Sequence, residues 1–459
     1  SGGALTPPLP SPTDSTSARK QLGVRLTIDP YIKYLTKNGN MFWYRGRFLS
    51  NKNTNNSGQS SQSYVLYNDL LYQKTLFNKI SWVSGLTYTY SSVDGRELYG
   101  GVNVNTEGDS IFSDGIFSGN SLGVYTQFDG KFGRLNTSLG FRIETVKIDT
   151  LERETKPLFR AGLNYEIARG TNLRASMGQA FRVPSVAERY TSTTGGGVIV
   201  EPNPTVRSEF GFSAEIGLRQ GFKIEGPKAK ARGYLDLAAF RMQYDDMVEF
   251  GLQGINLVDP VTGALDPKGV FTTVNIADAR ISGLEATLLM EIEAGDWFFN
   301  LTGGVTYIDA VNENSVTEDR QIDLSGWGLP GSNVLLLLND ISNPEIVDQP
   351  SVLKYRTKWT TRASASIGFK RVSLTTNYRA RSFMESIDQF MYLIVNDLAD
   401  FRSRRANGSQ VFDFIFGYDI STQSKIALNV NNAFNEEYMV VPGFLAPQRS
   451  LNLQYQIKF

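Results

Sequence analysis

The chain has 459 residues, with no cysteine and no histidine, and its 46 basic residues balance its 46 acidic ones. The missing cysteines exclude disulfides, thiolate metal sites and a Cys nucleophile, and the missing histidines exclude a Ser-His-Asp triad and the commonest metal ligand. Zero net charge leaves no basic footprint for nucleic acid, and the longest aliphatic run, VLLLL at 334–338, is far below the ~18 residues of a spanning helix.

Residues 1–20 contain LTPPLPSPTDSTS and read as a linker. No secretory signal pattern opens the chain, so the expectation is a removed leader or a start internal to a longer product. From residue 21 onward the chain reads as strand after strand of period two. VRLTIDPYIKY aligns Val24, Leu26, Ile28, Ile32 and Tyr34. ISWVSGLTYTY aligns Ile80, Trp82, Leu86, Tyr88 and Tyr90. RLNTSLGFRI and PLFRAGLNYEI align Leu135, Leu139, Phe141 and Ile143, then Phe159, Ala161, Leu163, Tyr165 and Ile167. The same alternation runs through EFGFSAEIGL, WFFNLTGGVTY, WTTRASASIGF, FDFIFGYDI and KIALNV. It closes on SLNLQYQIKF at the C-terminus, ending at Phe459.

The opposite face of these strands carries Arg25, Asp29, Lys33, Arg142, Glu144, Arg160, Glu166, Glu215, Arg219, Arg379 and Asp413. A dry core does not hold so many charges at strand centres, so the polar face is wet. The apolar face, with aromatics at both strand ends, fits the lipid side of a transmembrane barrel and its two girdles. Short turns near 36–39, 75–78, 130–133, 168–171, 220–229, 292–295, 369–371 and 420–424 alternate with long loops near 50–62, 92–118, 149–157, 184–207, 249–270, 309–351, 382–408 and 436–448. Outer-membrane barrels pair short periplasmic turns with long outside loops, which places the C-terminus in the periplasm and residues 1–20 outside. The fold class expected is all-β: a transmembrane antiparallel barrel with about seventeen strands. That count is odd, and bacterial single-chain barrels are even. The expectation is therefore the C-terminal part of a barrel of about 22 strands, the plugged transporter class, with residues 21–459 as its wall. Nicking in an outside loop and a separately encoded half are two ways to such a start.

Four motifs occur in order: QAFRVPSVAERY at 179–190, NPTVRSE at 203–209, ARISGLEA at 279–286 and NNAFNEEY at 431–438. Pro184 ends its strand, Gly283 permits close backbone approach, and Asn431, Asn432 and Asn435 can bond local backbone. Together the motifs resemble the barrel of TonB-dependent outer-membrane receptors over most of the chain. The family's corresponding patterns are roughly G-x-x-F-R-x-P-S-x-x-E, N-P-x-L-x-P-E, R-x-x-G-x-E and N-L-F-N-x-x-Y. Ser208 stands where the family often has Pro, and Ala433 where it often has Leu. The family's plug and TonB-contacting segment are not found among these residues.

The resemblance implies a ligand at the outer mouth and partners in a plug with the remaining strands, a TonB complex acting through that plug, and outer-membrane lipid with lipopolysaccharide. A surface lipoprotein over the loops is a further partner to consider. Loop aromatics and arginines contribute most when desolvated, which singles out Arg182, Arg189, Tyr190, Trp327, Arg381, Phe383, Phe390, Tyr392, Tyr438 and Phe444. Loop packing or lipopolysaccharide contact is the alternative for each. WGLPG at 327–331 and NVLLLLND at 333–340 read as an ordered piece of the longest loop. The carboxylates of NDISNPEIVD at 339–348 suit calcium by type, though their spacing matches no known loop, and no metal or cofactor is assigned. On the wet face, Arg142 with Glu166 and Arg160 with Glu144 are expected to pair across strands. Haem receptors of the family carry a histidine between the F-R-x-P and N-P-x-L motifs; residues 185–202 have none, so haem uptake with a histidine ligand from these residues is not expected, though a portion upstream of them could supply one. No loop groups a nucleophile with a base, so no enzyme is expected. The function expected is energised, gated import of a siderophore, cobalamin, oligosaccharide or peptide across the outer membrane. A passive porin, or a receptor-like barrel that binds or assembles with a surface lipoprotein, stands as the alternative.

Overall fold

The computed structural model describes residues 20–56, 59–104, 110–149, 151–195, 198–258, 265–276, 278–313, 351–388, 391–395 and 397–458. Eighteen strands form one sheet. The first two, Gln21–Ile28 and Tyr31–Leu35, both pair with Met41–Asn55. They are one crossing broken at Pro30, which has no N–H for a ladder and whose carbonyl accepts from Gly46 N–H at 2.8 Å. Among the described residues there are thus seventeen crossings, each antiparallel to the next in chain order. Among the described residues the first crossing and the last, Ser450–Ile457, pair with no strand on their outer edges, and both are exposed along their length.

Seven of the eight short turns fall where the alternation stops, and the eighth tightens to 226–229 between Glu209–Glu225 and Lys230–Asp245. Backbone at positive φ closes several of them, at Gly39, Asn78, Gly133, Gly170, Gly295 and Lys370. The region 50–62, read as a long loop, is mostly strand, because Met41–Asn55 and Ser61–Leu76 run on as a polar ribbon. Polar strands of that kind stand clear of lipid, so they lack the apolar row that reveals a strand in sequence.

Burial is inverted relative to a water-soluble domain. Leu139, Phe159, Ile216 and Leu284 are 55–60% exposed at strand centres, whereas Asp69 is 1% and Asp236 7% exposed on the other face. Aromatic pairs gather at both ends of the apolar face. Near the short turns Trp82 stacks on Phe128 and Trp297 packs 4.7 Å from Phe369; near the long loops Tyr307 meets Trp359 at 4.6 Å and Tyr378 meets Phe412 at 4.7 Å. No helix among the described residues is long and apolar enough to cross a membrane, and the strands are the crossing elements.

The buried apolar residues cluster mainly at the long-loop end. Ala279, Ala310 and Leu353 form one core, with Tyr244, Met247, Ile276, Ile281 and Ile308 packed against it. A second sheet of four strands, Thr193–Gly195, Val198–Glu201, Leu265–Asn275 and Val248–Val258, joins two loops through a parallel pairing of Val198–Glu201 with Leu265–Asn275. The 249–270 segment read as loop is therefore a hairpin. A register shift between Leu252 and Gly254 breaks its alternation and hides it in the sequence.

Gly283 faces Phe240 in the register, and a Cβ there would collide with the Phe240 ring and the Tyr307 carbonyl. Gly283→Val is expected to destabilise by about 1–3 kcal/mol, the range for forced overpacking, read as a shift in the unfolding midpoint in detergent. Phe240→Ala in the same chain should recover part of it.

Candidate functional site

The motifs of residues 179–190 and 203–209 fold into one polar lock at the strand ends. Arg182, last residue of Thr171–Arg182, donates from Nη1 to both oxygens of Glu188 at 2.7 and 2.9 Å. It also donates from Nε and Nη2 to Glu209 at 2.9 and 3.2 Å. Glu209, at the opposite strand end, accepts in addition from Val248 N–H at 2.9 Å. Between them, helix Val186–Tyr190 starts at Ser185 with a reciprocal capping box to Glu188. Burial alone pushes Glu188 upward, but the Ser185 N–H, the Arg182 guanidinium and the Ser185 hydroxyl outweigh it and hold the carboxyl below its ordinary 4.5. A depressed carboxylate contributes stability above its unfolded pKa and loses it as pH falls. Protection of amides 186–190, taken relative to the intrinsic exchange rate at each pH, is therefore expected to fall as pH drops below about 4.5, a step that should vanish in Glu188→Gln.

Arg189 and Tyr190 lie under this lock. Arg189 is 4% exposed, donates from Nη1 to the Pro204 carbonyl at 2.8 Å, and is held below its ordinary pKa by burial. Tyr190 stacks on Phe117 at 4.1 Å, and burial raises its phenol. Asn203 donates to the Thr273 carbonyl at 2.9 Å and Asn275 accepts from Arg207 N–H at 2.7 Å, so the N-P motif staples its loop to the second sheet. Ser208, in place of the family's proline, donates its hydroxyl to Glu154 at 2.7 Å.

The NNAFNEEY motif builds a second knot. Asn432, 3% exposed and at positive φ, donates its backbone N–H to Asp413 at 2.8 Å and its side-chain amide to the carbonyls of Glu436 and Pro447. Asn435 accepts from Arg449 N–H at 2.9 Å. Asp413 also takes Arg379 from the neighbouring strand at 2.9 Å. The turn is thereby tied to the polar face of the wall.

Beside this knot lies a cleft of about 70 Å³ lined by Arg381, Phe383, Arg402, Arg405, Glu437 and Tyr438, among others. Three of the residues singled out in the sequence, Arg381, Phe383 and Tyr438, meet here. Arg402 and Arg405, from helix Leu398–Arg404 and its C-cap, were not singled out, because nothing in the sequence shows which arginines of a loop helix turn inward. Tyr392 lies 5.8 Å from the Arg402 guanidinium at the edge of the same group. Phe444 is 73% exposed and takes no part. Trp327 and Phe390, the 327–331 and 333–340 pieces and the carboxylates of 339–348 lie outside the described residues.

On the polar face of the wall, carboxylates sit inside arginine clusters. Asp69 is held by Arg45 and by the Tyr125 hydroxyl at 3.0 Å. Asp236 is held by Arg174 and Arg219, each at 2.6 Å. The cross-strand pairs expected from the sequence do not form. Arg142 pairs with Glu144 two residues along its own strand, and Arg160 donates to Gln127. The register explains this: Arg142 lies opposite Leu158 and Glu144 opposite Lys156, while Glu166 lies opposite Asn172.

A sequence search found no match among the curated proteins. By structure, the chain is similar to the siderophore receptor PirA from Acinetobacter baumannii (TM-score 0.64, 12% identity, 96% of this chain and 63% of that one). It is also similar to the Serratia marcescens hemophore receptor HasR, solved with its hemophore HasA and heme (0.60, 13%, 97% and 67%), and to the copper transporter OprC (0.56, 13%, 96% and 65%). These likenesses show the fold, and the chain spans under two thirds of PirA. The family model for the TonB dependent receptor-like β-barrel matches residues 4–433. With the wall, the ordered motifs and that match in agreement, the chain belongs to the TonB dependent receptor-like β-barrel family.

Proposed function

We propose that the complete receptor imports a scarce, bulky nutrient such as a siderophore, cobalamin, an oligosaccharide or a peptide, by gated translocation energised through a TonB complex that acts on a plug. In this reading the remaining strands and the plug complete a barrel of about 22 strands, the short turns and C-terminus face the periplasm, and the long loops face outward. Residues 21–459 form the wall and residues 1–20 an outside linker. Lipopolysaccharide meets the outer part of the apolar face, and a surface lipoprotein over the loops is a candidate partner.

The observation that carries the proposal is the built loop layer. A passive pore needs an open mouth, whereas these loops carry their own sheet, helices and apolar core, pinned to the wall by the Arg182 and Asn432 networks. Arg381, Phe383 and Tyr438 are the ligand contacts favoured from the sequence set; Arg182, Arg189 and Tyr190 are favoured as the frame beneath them.

The test is uptake of labelled candidate nutrients by cells carrying the complete receptor as their only route, with and without a functional TonB complex. Uptake that is saturable and abolished without TonB is expected. Uptake that is unsaturable and indifferent to TonB would favour the porin reading.

A further inference from the structure

The cleft beside the NNAFNEEY turn holds more positive charge than its neighbours balance. Arg405 is matched by Glu436 at 3.0 Å. Arg381 and Arg402 form no ion pair among the described residues, and Glu437 is the one carboxylate on the lining. Arg402 is fixed in place: its Nη2 donates to the Met384 carbonyl at 2.8 Å and its guanidinium lies 4.5 Å from the Phe383 ring centre. Its Nε is buried with no acceptor. Arg381 is fixed from the backbone side. Gly408, at φ +81°, packs so closely that a Cβ would strike the Arg381 carbonyl, and the adjacent Ser382 hydroxyl accepts from Trp359 N–H at 3.0 Å. The Arg402 guanidinium is thus held before any ligand arrives, with a donor still unused, and Arg381 lines the same cleft from a fixed backbone.

We infer that this cleft is a binding site for one oxyanion group, a carboxylate, sulfate or phosphate, gripped by Arg381 and Arg402. Planar guanidinium forks match such groups and form charge-assisted hydrogen bonds with them. Leu398 and Phe401, buried beside the arginines, lower the local dielectric and strengthen those bonds. The volume decides what enters. About 70 Å³ is several times the ~10–15 Å³ that admits one water molecule, enough for one anionic group and well below the ~300 Å³ at which whole-ligand pockets begin. The group is either a free inorganic anion that holds the loop layer together or the acidic end of a larger ligand whose body lies outside the cleft. The inference goes beyond the import proposal and does not rest on it, since a passive barrel with this mouth would bind the same group.

The test is calorimetric titration of the purified complete receptor in detergent with sodium sulfate, phosphate and acetate at constant ionic strength, chloride serving as background. Saturable binding is expected. Arg381→Gln should weaken it about tenfold or more, the scale of one hydrogen bond to a charged group. Glu437→Gln should tighten it by removing the opposing charge, and this variant keeps the test informative if Arg381→Gln fails to fold. Arg404→Gln, whose side chain pairs with Asp400 at 3.1 Å on the exposed side of the helix, should bind as the wild type does. Preference for sulfate or phosphate identifies a free anion, and preference for acetate identifies the acidic end of a larger ligand. Absence of saturable binding by all three anions would overturn the inference, as would equal binding by wild type and both cleft variants.

Discussion

Ile216→Arg is expected to destabilise the barrel by about 2–4 kcal/mol, the range for a cation at the bilayer midplane. Ile216 lies near the middle of Glu209–Glu225, is 55% exposed, and is flanked across the sheet by Ala175 and Ala239. A second guanidinium there would lie on the face that already carries Arg241, paired with Ala214 in the register. Ser364→Arg is the matched control. Ser364 also sits mid-strand, between Thr302 and Asn377, but on the wet face, where a long cation meets water and polar neighbours. Its expected effect is within about 0.5 kcal/mol. Reversible urea unfolding in lipid vesicles, followed by tryptophan fluorescence, measures both. Equal destabilisation by the two variants would mean that the assignment of faces is mistaken.

The second large effect is expected at Asp236. Its carboxylate, 7% exposed, accepts from Arg174 and Arg219 on two neighbouring strands at 2.6 Å each. Asp236→Ala removes the shared partner of two guanidinium groups, of which Arg174 keeps Glu215 at 2.9 Å while Arg219 loses its carboxylate. Removing one partner of a buried ion pair costs about 3–5 kcal/mol. Because both arginines are partly exposed, the lower end of that range is expected. Arg219→Ala should cost less, about 1 kcal/mol, because Arg219 is half-exposed and Asp236 keeps Arg174. Combining the two substitutions should give less than the sum, since the arginine that Asp236→Ala strands is then partly removed. Thermal unfolding of the three variants in one detergent tests this order. If Asp236→Ala is no worse than Arg219→Ala, the carboxylate is not the centre of the cluster.

Much of the wall was legible because lipid on one side and water on the other impose period two along most strands. Phe412, Phe414, Phe416 and Tyr418 can occupy one row only if that row faces lipid, and the turns follow from where the row ends. Reading Gln21–Ile28 and Tyr31–Leu35 as one crossing was possible because the apolar row keeps its phase across Pro30. The loop layer was less legible. A bulge at Gln253 shifts the phase of Val248–Val258, and the parallel partner Val198–Glu201 has only four residues, too few for a pattern. Ion pairs were least legible, because a register is not written in any single strand. Arg142 and Glu166 carry suitable charges, yet the register sets Arg142 opposite Leu158 and puts Glu166 past Tyr165, which lies opposite Leu135.

The candidate site divides in the same way. Motif residues were found as architecture, and Arg182, Glu188 and Glu209 show why: their bonds hold a loop helix between two strand ends. Arg402 escaped notice because only packing against Phe383 distinguishes it from Arg404, two residues on and turned toward Asp400. Aromatic content placed Phe444 on the same footing as Tyr438, but exposure separates them.

The most direct test of a gated, plugged importer is the conductance of the purified complete receptor in a planar bilayer at low voltage. The account predicts a closed state with no steady ion current, because the plug and the pinned loop layer fill the lumen and its mouth. A stable open-pore current on the scale of a porin would contradict it.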